Sequence, residues 1–266
     1  MKNTQIISVI NQKGGVGKTT TVINLATALS FHGKKILVID LDPQGNATTG
    51  LGLSNSESSK TIYDVLNGNS NFGEAIQETK IKNLNLVSSN VDLSGLEVET
   101  ASENRRAFLL KDKIENFLQS SQNDFSYIFI DCPPSLSLLT VMSLVVAQSL
   151  IVPLQAEFFA LEGLSQLMKT IERVKEKLNP NLTIRGVLLT MFDKRNKLSS
   201  EVDKEARNFF KEKVYQTVIP RNVRLSEAPS HGVPILIYDK HSSGSKSYSN
   251  FAEEFLKQEN IMESAA

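Results

Sequence analysis

Short apolar runs alternate along the chain with longer segments in which apolar residues recur every three or four positions. Residues 5–10, 35–40, 84–88, 126–131, 149–154, 184–190 and 214–219 read as strands. Several of them, such as KILVID and SYIFID, are nearly continuous in Val, Ile, Leu and Phe rather than alternating, as in strands covered on both faces. Between them, 18–32 carries Val22, Ile23, Leu25, Ala26 and Leu29 at helical spacing and stops at Gly33. Segments 105–120, 136–147, 160–178, 199–212 and 245–258 are the other predicted helices. Strands alternating with helices predict an α/β fold, a mostly parallel twisted sheet flanked by helices on both faces. No linker or internal repeat divides the 266 residues, so a single domain over 1–266 is expected. The Gly-, Ser-, Asn- and Thr-rich stretch 44–60 follows a candidate metal-site carboxylate and is expected to act as a nucleotide-responsive switch.

The chemistry is most concentrated in residues 11–20, NQKGGVGKTT, between the first predicted strand and helix. Backbone N–H groups and a helix N-terminus at such a junction face an anion. Gly14, Gly15 and Gly17 let the backbone approach phosphate oxygens, with Val16 and Thr20 completing the cradle. Lys18 supplies a point charge for the β- and γ-phosphates, and the Thr19 hydroxyl can ligate Mg²⁺. Two carboxylates end apolar strands: Asp42 after KILVID and Asp131 in SYIFID. The carboxyl edge of a parallel sheet is where α/β proteins bind ligands. Asp40 lies two residues before Asp42 and is expected to support it.

Composition narrows the alternatives. With 29 basic and 29 acidic residues, net charge points to neither a nucleic-acid nor a membrane partner. The single cysteine, Cys132, rules out a multi-cysteine metal cage within one chain and reads as a buried packing residue. His32, His231 and His241 are not at ligand spacing. No apolar run is long enough to span a bilayer and no secretory leader is evident, so a cytoplasmic protein is expected. The balance is nevertheless uneven. Residues 193–248 hold eleven Lys/Arg against seven Asp/Glu, whereas 250–266 hold one Lys against four Glu. Phe251 and Phe255 look like a helix face docking back on the core.

Gln12 stands where the common phosphate loop has its first glycine, and a second lysine, Lys13, opens KGGVGKT. With that deviant loop the sequence resembles the ParA/MinD family of ATPases, most of all its chromosomal ParA (Soj-like) branch. The resemblance runs from NQKGGVGKTTTVINLA through LVIDLDPQGNATTGLG, YIFIDCPPSL, EFFALEGLSQL and GVLLTMFD to VIPRNVRLSEAPSHGVPI.

The resemblance implies hydrolysis of ATP to ADP and phosphate with Mg²⁺, the metal held by Thr19, Asp42 and Asp131. It makes Lys13 the signature lysine that reaches the other subunit's ATP in an ATP-dependent homodimer, and Asp42 the residue that positions the attacking water. Met191, Pro220 and Asn222 match positions that contact adenine. Arg195 and Arg224 match arginines that bind double-stranded DNA without sequence preference, which would place the protein on the nucleoid. A ParB-type activator protein is implied as partner, in chromosome or plasmid segregation. The alternative is a MinD-like, membrane-associated regulator of division. Such proteins end in a basic amphipathic helix, and the acidic end of this chain argues against membrane binding.

Overall fold

The computed structural model describes residues 4–54, 59–120, 123–157 and 160–265. Its elements, in chain order, are β1 Gln5–Val9, α1 Lys18–Phe31, β2 Ile36–Asp40, α2 Asn46–Gly50, α3 Ile62–Leu66, β3 Ile76–Glu78, β4 Leu84–Val87, α4 Leu96–Glu99, α5 Leu109–Ser120, β5 Tyr127–Asp131, α6 Leu138–Val146, β6 Ser149–Gln155, α7 Ala160–Lys177, β7 Thr183–Thr190, α8 Lys197–Phe210, α9 Val223–Glu227, α10 Ile235–Tyr238 and α11 Ser243–Ala265. Short 3₁₀ turns punctuate the connections, one of them at Ala228–His231.

The strands form a seven-stranded sheet in the order β3-β4-β2-β5-β1-β6-β7. Every neighbouring pair is parallel except β3 with β4. The continuous apolar runs behave as read: every residue of β2 and β5 is buried, as strands covered on both faces must be. One face packs on α1 and α11 around Leu25, Leu29, Phe129, Phe251 and Phe255. The other packs on α3, α5 and α6 around Ile39, Ile128, Leu110 and Met142. A third apolar cluster joins β6 and β7 to α7 and α8.

One reading needs correction. Residues 214–219 do not form a strand, although Tyr215 N–H donates to Val187 O (3.0 Å) and Ile219 N–H to Leu189 O (2.8 Å). The intervening N–H groups of Gln216 and Thr217 donate instead to the Glu254 carboxylate of α11 (2.6 and 2.8 Å), which diverts the backbone from a ladder. Within the stretch 44–60, residues 46–50 form α2, and residues 55–58 fall outside the described residues. The expected docking of the C-terminal helix holds, with Phe251 and Phe255 fully buried. Tyr248 of that helix shares a hydrogen bond with the Thr21 hydroxyl of α1 (3.2 Å). Among the described residues no helix is long and apolar enough to cross a membrane.

Candidate functional site at the carboxyl edge of the sheet

All the strands that matter end on one side. The chain leaves β1 into the glycine-rich loop and enters α1 through Gly17, whose φ of 88° and ψ of 29° make it the left-handed N-cap. Gly15 is also left-handed, at φ 75°. A side chain at either position would be strained, so the sequence must carry glycine there. The loop is held from outside. Asn11 donates to Pro153 O (2.8 Å) while its Oδ1 accepts from Lys13 N–H (3.0 Å). The Thr190 hydroxyl, at the end of β7, donates to Val16 O (2.8 Å). Neither Asn11 nor Thr190 was singled out in the sequence; only the fold brings them to the loop.

The two lysines divide. Lys18 is buried, and its ammonium donates to Lys13 O (3.1 Å) across the loop. Burial lowers its pKa; Asp131, Cys132 and Asp42 pull the other way. Lys13 is exposed and forms an ion pair with Glu157, just beyond β6. Glu157 is another participant with no local signal in the sequence.

The carboxylates meet at the sheet's centre. Asp131 pairs in register with both Val9 and Asp40, so β1, β2 and β5 deliver it to the middle of the edge. Asp131 is fully buried and neither of its oxygens closes a hydrogen bond. Its pKa is raised well above the ordinary carboxylate range by burial first and by the charge of Asp40 next, with the Thr19 hydroxyl and Lys18 offsetting only part. Asp40 is likewise pushed up to about 6 by burial. Asp42 is buried as well, and its Oδ1 accepts from Gln44 N–H (3.0 Å). An unpartnered buried carboxylate next to a hydroxyl offers the oxygen ligands that a hard divalent cation takes when phosphate oxygens supply the rest, and the adjoining lysine is a counter-charge for those phosphates. The residues present therefore fit a magnesium–triphosphate group. Cys132 is buried as expected, its thiol held by Ser143 Oγ (3.0 Å) and pushed up to about 12 by burial, which makes it an inert packing residue.

Beside the loop, a cavity of about 340 Å³ is lined by Gly17, Thr20, Met191, Pro220, Asn222 and Tyr248, among others. All three residues expected to contact a base are thus in one pocket next to the phosphate loop. Met191 adopts a left-handed φ of 50° there, unusual for a residue with a side chain. Asn222 donates through Nδ2 to Ser243 Oγ (2.7 Å), and its Oδ1 is buried without a partner. Arg195 and Arg224 lie outside this pocket on the surface. Each is paired: Arg195 with Asp193 (2.9 Å), Arg224 with Glu227 (2.8 Å) and Asp239 (3.7 Å).

A glycine-rich cradle with its lysine, two strand-end carboxylates and an adjoining base-sized pocket define a phosphate-loop ATPase. The family described as AAA domain matches residues 4–184. The chain is 50% identical over 255 residues to the chromosome partitioning protein ParA of Caulobacter vibrioides, covering 96% of this chain and 95% of that protein. It is 47% identical over 250 residues to the sporulation initiation inhibitor protein Soj of Bacillus subtilis, covering 94% and 97%. A solved structure of cobyrinic acid a,c-diamide synthase from Mycobacterium smegmatis, with bound ATP analog and magnesium, superposes with a TM-score of 0.84 at 34% identity, over 96% of this chain and 95% of that one. The chain belongs to the ParA/Soj family of chromosome-partitioning ATPases.

Proposed function

We propose that the protein couples hydrolysis of ATP to ADP and phosphate to reversible pairing of two copies on DNA. The observation that carries the reading is the division of the lysines. Lys18 lies across the cradle of its own loop, whereas Lys13 is exposed beside it. A γ-phosphate bears more charge than one lysine offsets, so a cation supplied by a second copy would link triphosphate binding to dimerisation.

In this reading the loop N–H groups from Gly14 to Thr20 and the Lys18 ammonium bind the phosphates, and Met191, Pro220 and Asn222 bind adenine. Thr19 and Asp131, with Asp42 nearby, would hold Mg²⁺, which supplies neutralisation of the developing phosphate charge. Asp42 orients the attacking water. Arg195 and Arg224 exchange their exposed carboxylate partners for DNA phosphates, which requires no sequence recognition. Pairing two copies brings two such surfaces to one duplex and raises retention by linkage rather than by new contacts. A ParB-type activator would accelerate hydrolysis and release, on the nucleoid in the cytoplasm. The 50% identity to a partitioning ParA supports this reading over a membrane-bound regulator.

The test compares Lys13→Gln and Asp42→Ala by size-exclusion chromatography with ATP and Mg²⁺. The first should run as a monomer and lose ATP-dependent DNA retention; the second should remain a dimer and stay on DNA longer than the unaltered protein. Identical monomeric profiles for both would overturn the assigned roles.

A further inference from the structure

Asp40 and Asp131 are register partners on adjacent strands, yet their oxygens are used in opposite ways. Those of Asp131 close no hydrogen bond, while those of Asp40 are committed to the chain that follows β2. Asp40 Oδ1 accepts from Asp42 N–H (3.2 Å). Its Oδ2 accepts twice from Thr48, from the backbone N–H and from the hydroxyl (both 2.8 Å). The Thr48 oxygen in turn accepts from Ser89 N–H (3.1 Å), just past the end of β4. Asp40, Thr48 and Ser89 are all fully or almost fully buried.

One carboxylate therefore closes the turn from Asp42 to Thr48 at both ends, and Thr48 moors it to the chain just past β4. Inside that turn Asp42 accepts from Gln44 N–H through its side chain and from Gly45 N–H (2.9 Å) through its carbonyl. The orientation of the Asp42 carboxylate is thus inherited from contacts made by Asp40 and Thr48.

We infer that Asp40 is a positioning residue for hydrolysis: acting through Thr48, it sets where the Asp42 carboxylate points and is not itself a ligand to the cation. This rests on the reading of Asp42 given above. Displacing a catalytic group by about 1 Å costs on the order of a hundredfold in rate. Loosening the turn should accordingly act on the hydrolytic step and spare nucleotide binding, because the cradle lies between β1 and α1 and the base pocket is lined by Met191, Pro220, Asn222 and Tyr248, outside the turn from Asp42 to Thr48.

The experiment uses the full chain with Thr48→Val, Thr48→Ser, Asp40→Asn, the double variant Asp40→Asn/Thr48→Val, and Asp42→Ala. It measures kcat and KM for ATP, the affinity for a fluorescent ATP analogue, and the Mg²⁺ concentration that half-saturates that binding. Thr48→Val and Asp40→Asn should each lower kcat at least about tenfold while KM, analogue affinity and Mg²⁺ half-saturation stay within about twofold. Thr48→Ser, which keeps the hydroxyl, should hydrolyse within about twofold of the unaltered protein. The double variant should be no slower than the worse single one, since both break one linkage. Three outcomes would overturn the inference: Thr48→Val hydrolysing normally, Thr48→Ser failing as badly as Thr48→Val, or a shift in Mg²⁺ half-saturation in Asp40→Asn alone. If Asp42→Ala itself hydrolyses normally, the reading of Asp42 has failed; if Asp42→Ala is inactive and Thr48→Val is not, only the positioning role has.

Discussion

A carboxylate that is wholly buried and closes no hydrogen bond is costly to ionise, and Asp131 is such a group. Its raised pKa fixes the sign of a measurable effect. The folded protein holds this proton more tightly than an unfolded chain does, with its carboxylate near 4. Stability from the protonated form is complete below that pKa and is lost as pH rises through the folded one. Asp131→Asn removes the ionisation. Melted without nucleotide, the variant should be more stable than the unaltered protein, and its advantage should grow as pH is raised from about 4 to neutrality. It should also lose Mg²⁺-dependent ATP binding. Subtracting one melting series from the other removes groups that titrate identically in both, such as Asp193, which the Arg195 guanidinium holds down at about 2. An advantage that shrinks with rising pH would contradict the assignment. A stabilising substitution that abolishes function is the expected mark of a site residue.

Elements show where a side chain has no room. Gly186 lies within β7, and a Cβ there would stand 2.4 Å from the Tyr215 ring and 3.0 Å from Lys213 O. Tyr215 is itself fully buried and packs edge-on to Phe251 (4.7 Å), so it cannot retreat into solvent. Gly186→Ala should destabilise by about 1–3 kcal/mol, lowering the melting temperature by roughly 2–4 °C per kcal/mol, with affinity for ATP unchanged; a calorimetric scan and an ATP titration check both. The same pairing explains what could be read in advance. Strands buried on both faces announce themselves by unbroken Val, Ile and Leu, and the phosphate loop is a local pattern, so β1, β2, β5 and the cradle were legible. Segment 214–219 has the residues of a strand, but its pairing is decided by Glu254, which lies on a distant helix. β3, with only Ile76, Gln77 and Glu78 at an antiparallel edge, is too short to carry a period. Within the site, Glu157, Thr190 and Thr48 act through partners brought to them by the topology, so no spacing in the chain could reveal them.

At the scale of the molecule, the six parallel strands aim their carboxyl ends at one edge, and a protein with no net charge places its proposed DNA contacts beyond that edge, Arg195 on the loop after β7 and Arg224 on α9. If those contacts are to phosphate, DNA retention with ATP should fall steeply with salt, and the slope of log affinity against log salt should become shallower by about one for each arginine removed. Arg195→Ala and Arg224→Ala, measured at several salt concentrations, give that slope; an unchanged slope in both would move the contact elsewhere. The chain just past α2 also meets the far end of this surface. A Cβ on Gly52, which has a φ of 76°, would lie 2.6 Å from Gly232 O, and one on Gly232 would lie 3.0 Å from the Gly52 Cα. Gly52 follows the turn that carries Asp42, and Gly232 follows the 3₁₀ turn after α9, which bears Arg224. Bare main chain thus abuts bare main chain, with no pliable group to absorb a shove. Whatever nudges one of these two segments by more than a few tenths of an ångström must either push the other or pull away from it.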